Sequence, residues 1–277
     1  MSNNISVCIV AIAKMENHYI REWVEYHKSI GIDKIFLFDN NEIDGEKFED
    51  VINDYISSNF VEIIDKRGIH PQKTNNIQAQ FSREGYKLAQ KLYDWIAIID
   101  IDEFISFSNY TNIKDYLRQN IFNNFDCIRL CWKLYNDSNL LKVENENYSL
   151  LKRFTVWNPH KMGKTIYKAN LSIEKIKAIT GHGSPLCISC DEDGNLLECN
   201  ERISIVKNIP SYNTAWINHY KTKTIEEFIS IRLVRKDINY NCRIFDIDNF
   251  FSYCERTPEK EKLGKELLKK YNIVSEE

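Results

Sequence analysis

Apolar and polar positions alternate along this chain in blocks of recognisable period. Residues 6–13 (SVCIVAIA) are continuously apolar, the pattern of a strand covered on both faces. Over residues 19–30, Ile20, Trp23, Val24, His27 and Ile30 recur at helical spacing, and Gly31 stands where a helix-ending glycine belongs. Residues 33–38 predict a second strand that runs out into Asp39, Asn40 and Asn41. Residues 48–58 predict a helix with Val51, Ile52 and Tyr55 on one face, and residues 60–64 a third strand. A long helix is expected over 75–93, with Ile77, Phe81, Leu88 and Leu92 inward. The fourth strand, 95–99 (WIAII), is followed at once by Asp100, Ile101, Asp102 and Glu103.

Strands alternating with helices in this way predict a parallel sheet with right-handed crossovers. Ligands of such sheets sit at the carboxyl ends of the strands. Lys14, Glu16, Asn17, Asp39, Asn40, Asp65, Arg67, Asp100 and Asp102 are the polar residues collected there. Beyond residue 110 the periodicity weakens. A short helix is expected over 113–119, a strand over 127–134, a polar loop over 136–147 and another strand over 216–220. Thr224 and Glu227 form a capping box ahead of Ile225, Phe228, Ile229 and Leu233. Thr257 and Pro258 open a last helix that runs through Lys270.

Composition narrows the classes. The chain has 277 residues, 28% of them charged, and a formal net charge of −3, which excludes a globally basic nucleic-acid binder. The absence of an apolar run long enough to span a bilayer, and of a basic leader before residue 6, leads us to expect a cytoplasmic protein with its eight cysteines as thiols. Neither G-x-G-x-x-G nor G-x-x-x-x-G-K-[ST] follows the first strand, and no G-x-S-x-G occurs. These absences disfavour a dinucleotide dehydrogenase, a P-loop enzyme and an α/β-hydrolase.

Chemistry concentrates at the fourth strand's end. In extended backbone Asp100 and Asp102 would point to the same side, so both carboxylates could reach one ion. Hard oxygen ligands suit Mg²⁺ or Mn²⁺, which commonly keep positions open for substrate phosphates. Other readings attach to single residues. His182, between Gly181 and Gly183, stands where a tight backbone would approach a ligand. His27 lies on a buried helix face and reads as structural. Cys187, Cys190 and Cys199 with His182 would make a zinc site of three thiolates and one imidazole, but the single C-x2-C pair is half a signature and ordinary loop thiols are the other reading. The last helix carries Lys260, Lys262, Lys265, Lys269 and Lys270 against Glu259, Glu261 and Glu266. That pattern suits a solvated face, with peripheral contact to the inner membrane face as the alternative. Arg232, Arg235 and Lys236 could meet a diphosphate or an acidic acceptor.

The spaced set Lys14, Glu16, Glu22, Trp23, Tyr26, His27, Gly31, Asp39, Asn40 and Gln80, followed by Asp94-Trp95 and Asp100-Ile101-Asp102-Glu103-Phe104, resembles GT-A glycosyltransferases of families 2 and 92. So does the later run Asn218-His219-Tyr220-Lys221, Thr224, Glu226-Glu227-Phe228. The resemblance implies an α/β, Rossmann-like GT-A fold: a mostly parallel central sheet flanked by helices with a C-terminal helical elaboration. It divides the chain into a glycosyltransferase domain over 1–240, with a nucleotide-binding half (1–110) and an acceptor-side half (111–240), and an extension over 241–277. It implies an inverting hexosyltransferase using Mn²⁺ or Mg²⁺. The donor would be a nucleotide-diphosphate sugar, a UDP-sugar by preference with UDP-galactose among the candidates. The acceptor would be a glycan or lipid-linked saccharide in surface polysaccharide or lipooligosaccharide synthesis.

By the same resemblance, Lys14, Glu16, Asp39, Gln80, Asp100 and Ile101 would contact the nucleotide sugar. Asp100 and Asp102 would hold the cation, with His182 or His219. The acceptor's general base would be Asp137, after a Trp-containing segment at Trp132, or Asp191 in a later loop, with Asp193 competing. Residues 135–138 read Tyr-Asn-Asp-Ser where the family is typically glycine-rich. Two other classes remain as alternatives. A nucleotidyl or sugar-phosphate transferase would need a basic, glycine-rich first loop, which is missing. A non-catalytic nucleotide-sugar or glycan-binding module would tolerate loss of Asp100 or Asp102, and both are present.

Overall fold

The computed structural model describes residues 5–70, 76–198, 204–235 and 246–273. Strand β1 (Val7–Ala13) is buried throughout because its two faces meet different apolar layers. Val7, Ile9, Ala11 and Ala13 join one layer with Trp23, Val24 and Ile52, whereas Cys8, Val10 and Ile12 join the other with Phe81 and Tyr86. Helix α1 (Ile20–Ser29), β2 (Lys34–Asp39), α2 (Glu49–Ser57), β3 (Val61–Asp65), α3 (Ile77–Ala89) and β4 (Trp95–Ile98) follow. The four strands pair parallel in the order β3-β2-β1-β4, as the alternation of elements predicts. Leu88 and Leu92, expected inward, are exposed; the inner face of α3 is instead carried by Phe81, Gly85, Tyr86 and Ala89. Gly85 is required there because a Cβ would collide with Val10 and lie 3.0 Å from Phe38.

The second half extends the same sheet. Strand β5 (Glu103–Phe107), α4 (Ile113–Leu117), β6 (Cys127–Tyr135), α5 (Leu150–Arg153), β7 (Trp157–Lys168), α6 (Ile173–Lys177), β8 (Ser189–Cys190) and β9 (Ala215–His219) complete it. Strand β7 runs antiparallel between β4 and β6, so β6 runs parallel to β4 and brings its C-terminal end to the same edge. Strand β9 then pairs parallel with β6 and antiparallel with β5. The full order is β3-β2-β1-β4-β7-β6-β9-β5, with β8 beside the start of β6. β5 and β7 have no counterpart in the sequence reading. The first part of β7 projects into solvent and carries Pro159, so only its inner portion is apolar and the whole shows no strand period.

Helix α7 (Ile225–Glu227) opens on the expected capping box and continues as a π-helical stretch, Phe228–Leu233. Helices α8 (Ile247–Phe251) and α9 (Pro258–Lys270) close a separate apolar cluster around Ile225, Phe228, Phe250, Leu263 and Leu267. On α9, Lys262, Lys265, Lys269 and Lys270 are exposed, but Lys260 is buried. Among the described residues no helix is long and apolar enough to cross a membrane. His27 is structural, as expected. Its Nδ1 lies 2.9 Å from the Trp23 carbonyl and burial drives its pKa down to about 3.

Candidate active site at the carboxyl edge of the sheet

In the order β3-β2-β1-β4 the chain winds one way from β1 to β3 and the other way to β4. The crevice between the carboxyl ends of β1 and β4 is therefore the topological switch point of an open α/β sheet. Lys14 leaves the end of β1 and Asp100 follows the end of β4, so the acidic group stands where that architecture places ligands.

The acidic group is built on a turn, not on extended strand as expected. The Glu103 amide donates to the Asp100 carbonyl at 3.1 Å, and the Asp100 amide donates to Glu103 Oε2 at 2.9 Å. The turn splits the two aspartates. Asp100 is met by Lys164 Nζ at 2.7 Å and by Gln78 Nε2 at 3.3 Å. Asp102 is met by His219 Nε2 at 3.6 Å and Lys223 Nζ at 3.9 Å. Ile101 between them packs into the core, so its side chain is closed to a ligand. Glu103 lies wholly buried opposite its register partner His219, with Oε1 3.8 Å from His219 Nδ1.

Burial and charge set the protonation states. Burial works against ionised Asp102, but His219, Lys223 and Arg232 outweigh it and hold the carboxyl well below its ordinary range. Burial lowers the His219 pKa, with Asp102 opposing it. Glu103 is pushed well above the carboxylate range by burial, with Asp100 and Asp102 adding to the effect and Lys164 opposing it. Burial disfavours the charge on Lys164, yet the Asp100 carboxylate 2.7 Å away keeps it protonated.

Two carboxylates and an imidazole have the donor chemistry of a Mg²⁺ or Mn²⁺ site. Among the described residues, no three His, Cys, Asp or Glu side chains converge closely enough to hold an ion unaided. A cation here would need its remaining ligands from substrate phosphates and water. His182 is turned to the Gly163 carbonyl, 2.9 Å from Nδ1, and burial lowers its pKa to about 4. It flanks the Trp132 ring edge-on, as His219 does at a tilt.

The other sequence candidates divide. Asp39 ends β2 fully buried; burial raises its pKa, partly offset by the Asn41 amide and by Arg67, whose Nε lies 3.7 Å away. Lys14 pairs with Glu42 at 2.7 Å, and Glu16 pairs with Arg235, which also donates to the Lys14 carbonyl. Gln80 is exposed; the glutamine of α3 that reaches the acids is Gln78, two residues earlier on the other side of the helix. Asp137 has no exposed carboxylate edge, since Lys260 Nζ lies 2.6 Å from Oδ2 and the Asn139 amide donates to Oδ1. Asp191 closes its own turn, accepting from the amides of Asp193 and Asn195. Asp193 is likewise engaged, with Ser211 and Asn213.

Cys187 and Cys190 pack into different apolar layers of the sheet, which separates them as zinc ligands. Cys199 and Lys236 lie outside the described residues. Lys164, Lys223 and Gln78 were not anticipated. Lys164 hides in a strand without a period, and Gln78 is two positions from Gln80, the residue that the resemblance implied. A cavity of about 760 Å³ lined by Ser6, Tyr93, Asp94, Trp95 and Asn170 opens at the opposite, N-terminal end of β1 and β4, away from this chemistry.

The model of glycosyltransferase family 92 matches residues 3–222. The chain belongs to glycosyltransferase family 92. A family 92 protein of Oryza sativa subsp. japonica is 32% identical over 113 residues, 41% of this chain and 18% of that protein. One of Ricinus communis is 28% identical over 139 residues, 50% of this chain and 24% of that protein. The chain's matches thus span under a quarter of those relatives' lengths. Among solved structures, S. aureus TarS is similar at a TM-score of 0.40 and 11% identity, covering 98% of this chain and 44% of that one. A shorter TarS in complex with UDP-GlcNAc gives 0.41 and 10%, covering 96% and 80%. The family 92 match ends at residue 222, ahead of the capping box at Thr224, so α7, α8 and α9 lie beyond it.

Proposed function

We propose that this family 92 member transfers a sugar from a nucleotide-diphosphate donor to a saccharide acceptor with the help of Mn²⁺ or Mg²⁺. The supporting observation is the placement of the Asp100–Glu103 turn at the β1/β4 switch point, with His219 beside Asp102. Asp102 and His219 would hold the cation, with Asp100 beside them. A bound cation offsets charge that grows on a departing diphosphate. Lys164 fixes Asp100 and Glu103, so the carboxylates are oriented before a ligand arrives. Lys223 adds a cation at the same place. Asp39, at the end of β2, is buried but keeps Oδ2 without a hydrogen-bond partner among the described residues, and that oxygen would serve the nucleoside. Neither Asp137 nor Asp191 is carried forward as general base, because the oxygens of each are already engaged within the protein.

The test is calorimetric titration of UDP with Mn²⁺, together with turnover of a panel of UDP-sugars. Asp102→Asn keeps an oxygen but loses the charge. It is expected to weaken metal-dependent UDP binding by at least about tenfold, the lower range for disturbing a metal site, and to lower turnover with it. Full turnover by metal-free protein in chelator, or unaltered UDP binding by Asp102→Asn, would overturn the assignment.

A further inference from the structure

Strand β6 alternates across the sheet, and its two faces carry different chemistry at the carboxyl edge. Trp132 lies on the face of the acidic group, with the rings of His160, His182 and His219 at 5.3, 5.5 and 4.4 Å. The next residue, Lys133, points to the other face. Its Nζ stands 3.4 Å from the ring centre of Trp216, 4.6 Å from that of Trp157 and 5.5 Å from that of Tyr212. Register explains the gathering: Lys133 pairs with Asn218 on β9 and Pro159 on β7, which sets Trp216 and Trp157 two residues away on the same side.

Two of the rings are held by hydrogen bonds. Trp216 Nε1 donates to Asn218 Oδ1 at 2.8 Å, and the Tyr212 hydroxyl donates to the Trp132 carbonyl at 2.6 Å. Trp157 is 38% exposed and its neighbour Val156 50% exposed, so the cluster opens to solvent on the projecting part of β7. Lys133 is half-buried, and burial alone moves its pKa below the ordinary lysine value. No carboxylate among the described residues pairs with it. Held aromatic faces around a partly desolvated cation form a preorganised surface, one that accepts a flat apolar face and an anion together.

We propose that Lys133, Trp157, Trp216 and Tyr212 form a second saccharide site that holds a carboxylate-bearing sugar on the face of the sheet opposite Asp102. The C–H face of a pyranose ring would lie against exposed indole, and the sugar carboxylate would meet the Lys133 ammonium. The site would thus grip an acidic stretch of saccharide away from the point of transfer. The choice of a saccharide as occupant rests on the glycosyltransferase reading above; the geometry of the cluster does not.

The experiment titrates the whole chain with a short oligogalacturonide and, separately, with a neutral maltooligosaccharide, reading tryptophan fluorescence and heat. UDP with Mn²⁺ is titrated in parallel. The oligogalacturonide is expected to bind. Trp157→Ala and Lys133→Met should each weaken it about tenfold, the scale of one stacking or cation contact, with UDP binding unchanged. Trp157→Tyr, which keeps an aromatic face, should retain most of the affinity. The maltooligosaccharide should bind more weakly and ignore Lys133→Met. Absence of oligogalacturonide binding by the wild-type chain, or binding untouched by both variants, overturns the proposal. Equal affinity for the neutral chain overturns its anionic part. A wild-type chain that binds oligogalacturonide through these residues but not UDP upholds this site and removes the donor assignment instead.

Discussion

The pair Asp137–Lys260 decides between two roles for a residue that the sequence marks as a base. The carboxylate follows β6 and the ammonium comes from α9, 1% and 2% exposed, with Nζ and Oδ2 2.6 Å apart. Lys260 also donates to the Glu255 carbonyl at 3.0 Å, so its charge is held on two sides. Removing one partner of such a pair leaves the other charge buried and uncompensated, a loss of about 3–5 kcal/mol. We expect Asp137→Asn and Lys260→Met each to cost an amount in that range. The double variant should cost less than their sum by about 1–3 kcal/mol, since it leaves no charge behind. In Asp137→Asn the new side-chain amide oxygen would still accept from the Asn139 amide, so the loop is not otherwise disturbed. Urea unfolding followed by tryptophan fluorescence gives all four stabilities, with a common slope as the check that unfolding stays two-state. Single variants within about 0.5 kcal/mol of wild type, adding without coupling, would refute the tether. Asp137 would then be free to serve as the base. A stable double variant that keeps its transfer rate would exclude that role independently.

Two further outcomes follow from the core. His27 titrates at about 3 when folded, far below its ordinary value of 6.5, so only the unfolded chain takes up its proton between those values. Stability from this residue is complete above pH 6.5 and is lost as the pH falls. Wild type should lose about 1 kcal/mol more than His27→Gln between about pH 7.5 and pH 5.5. Parallel denaturant midpoints for the two proteins across that interval would refute the assignment. Gly85→Ala places a methyl group against Val10 and Phe38 under α3 and should destabilise the chain by about 1–3 kcal/mol, the range for overpacking. An unchanged midpoint would mean that α3 rides farther from the sheet than described.

The first half of the fold was legible because burial on both faces leaves a continuous apolar run. β1, β2 and β4 show one, and the helices between them show a 3.6-residue period. β7 was not legible for the converse reason. Its outer part is wet on both sides and its inner part buries Lys164 and Thr165, so neither half alternates. The same blindness hid Lys164 as a partner of Asp100, since a buried lysine announces itself only through the acids that compensate it. Asp100 and Asp102 were legible as a pair, but their separation by the Asp100–Glu103 turn was not. That turn is closed by the Glu103 side chain reaching back to the Asp100 amide, a contact no periodicity encodes.

That turn also explains how several carboxylates can be crowded at one edge of a sheet. Asp100 and Glu103 share Lys164, and Glu16 is held by Arg235. Asp102 is served at longer range, by His219 at 3.6 Å and Lys223 at 3.9 Å. The closest ion pair of the turn therefore belongs to Asp100, whereas Asp102 is held ionised at longer range by several groups. A carboxylate kept ionised by surrounding charge, yet without a close ion pair of its own, has the most to gain from an arriving cation. This is the physical reason for testing Asp102 before Asp100. Neutralising Asp100 would take the close ionised partner from the buried Lys164 ammonium and confound ligand binding with folding, whereas Asp102→Asn leaves that 2.7 Å pair intact.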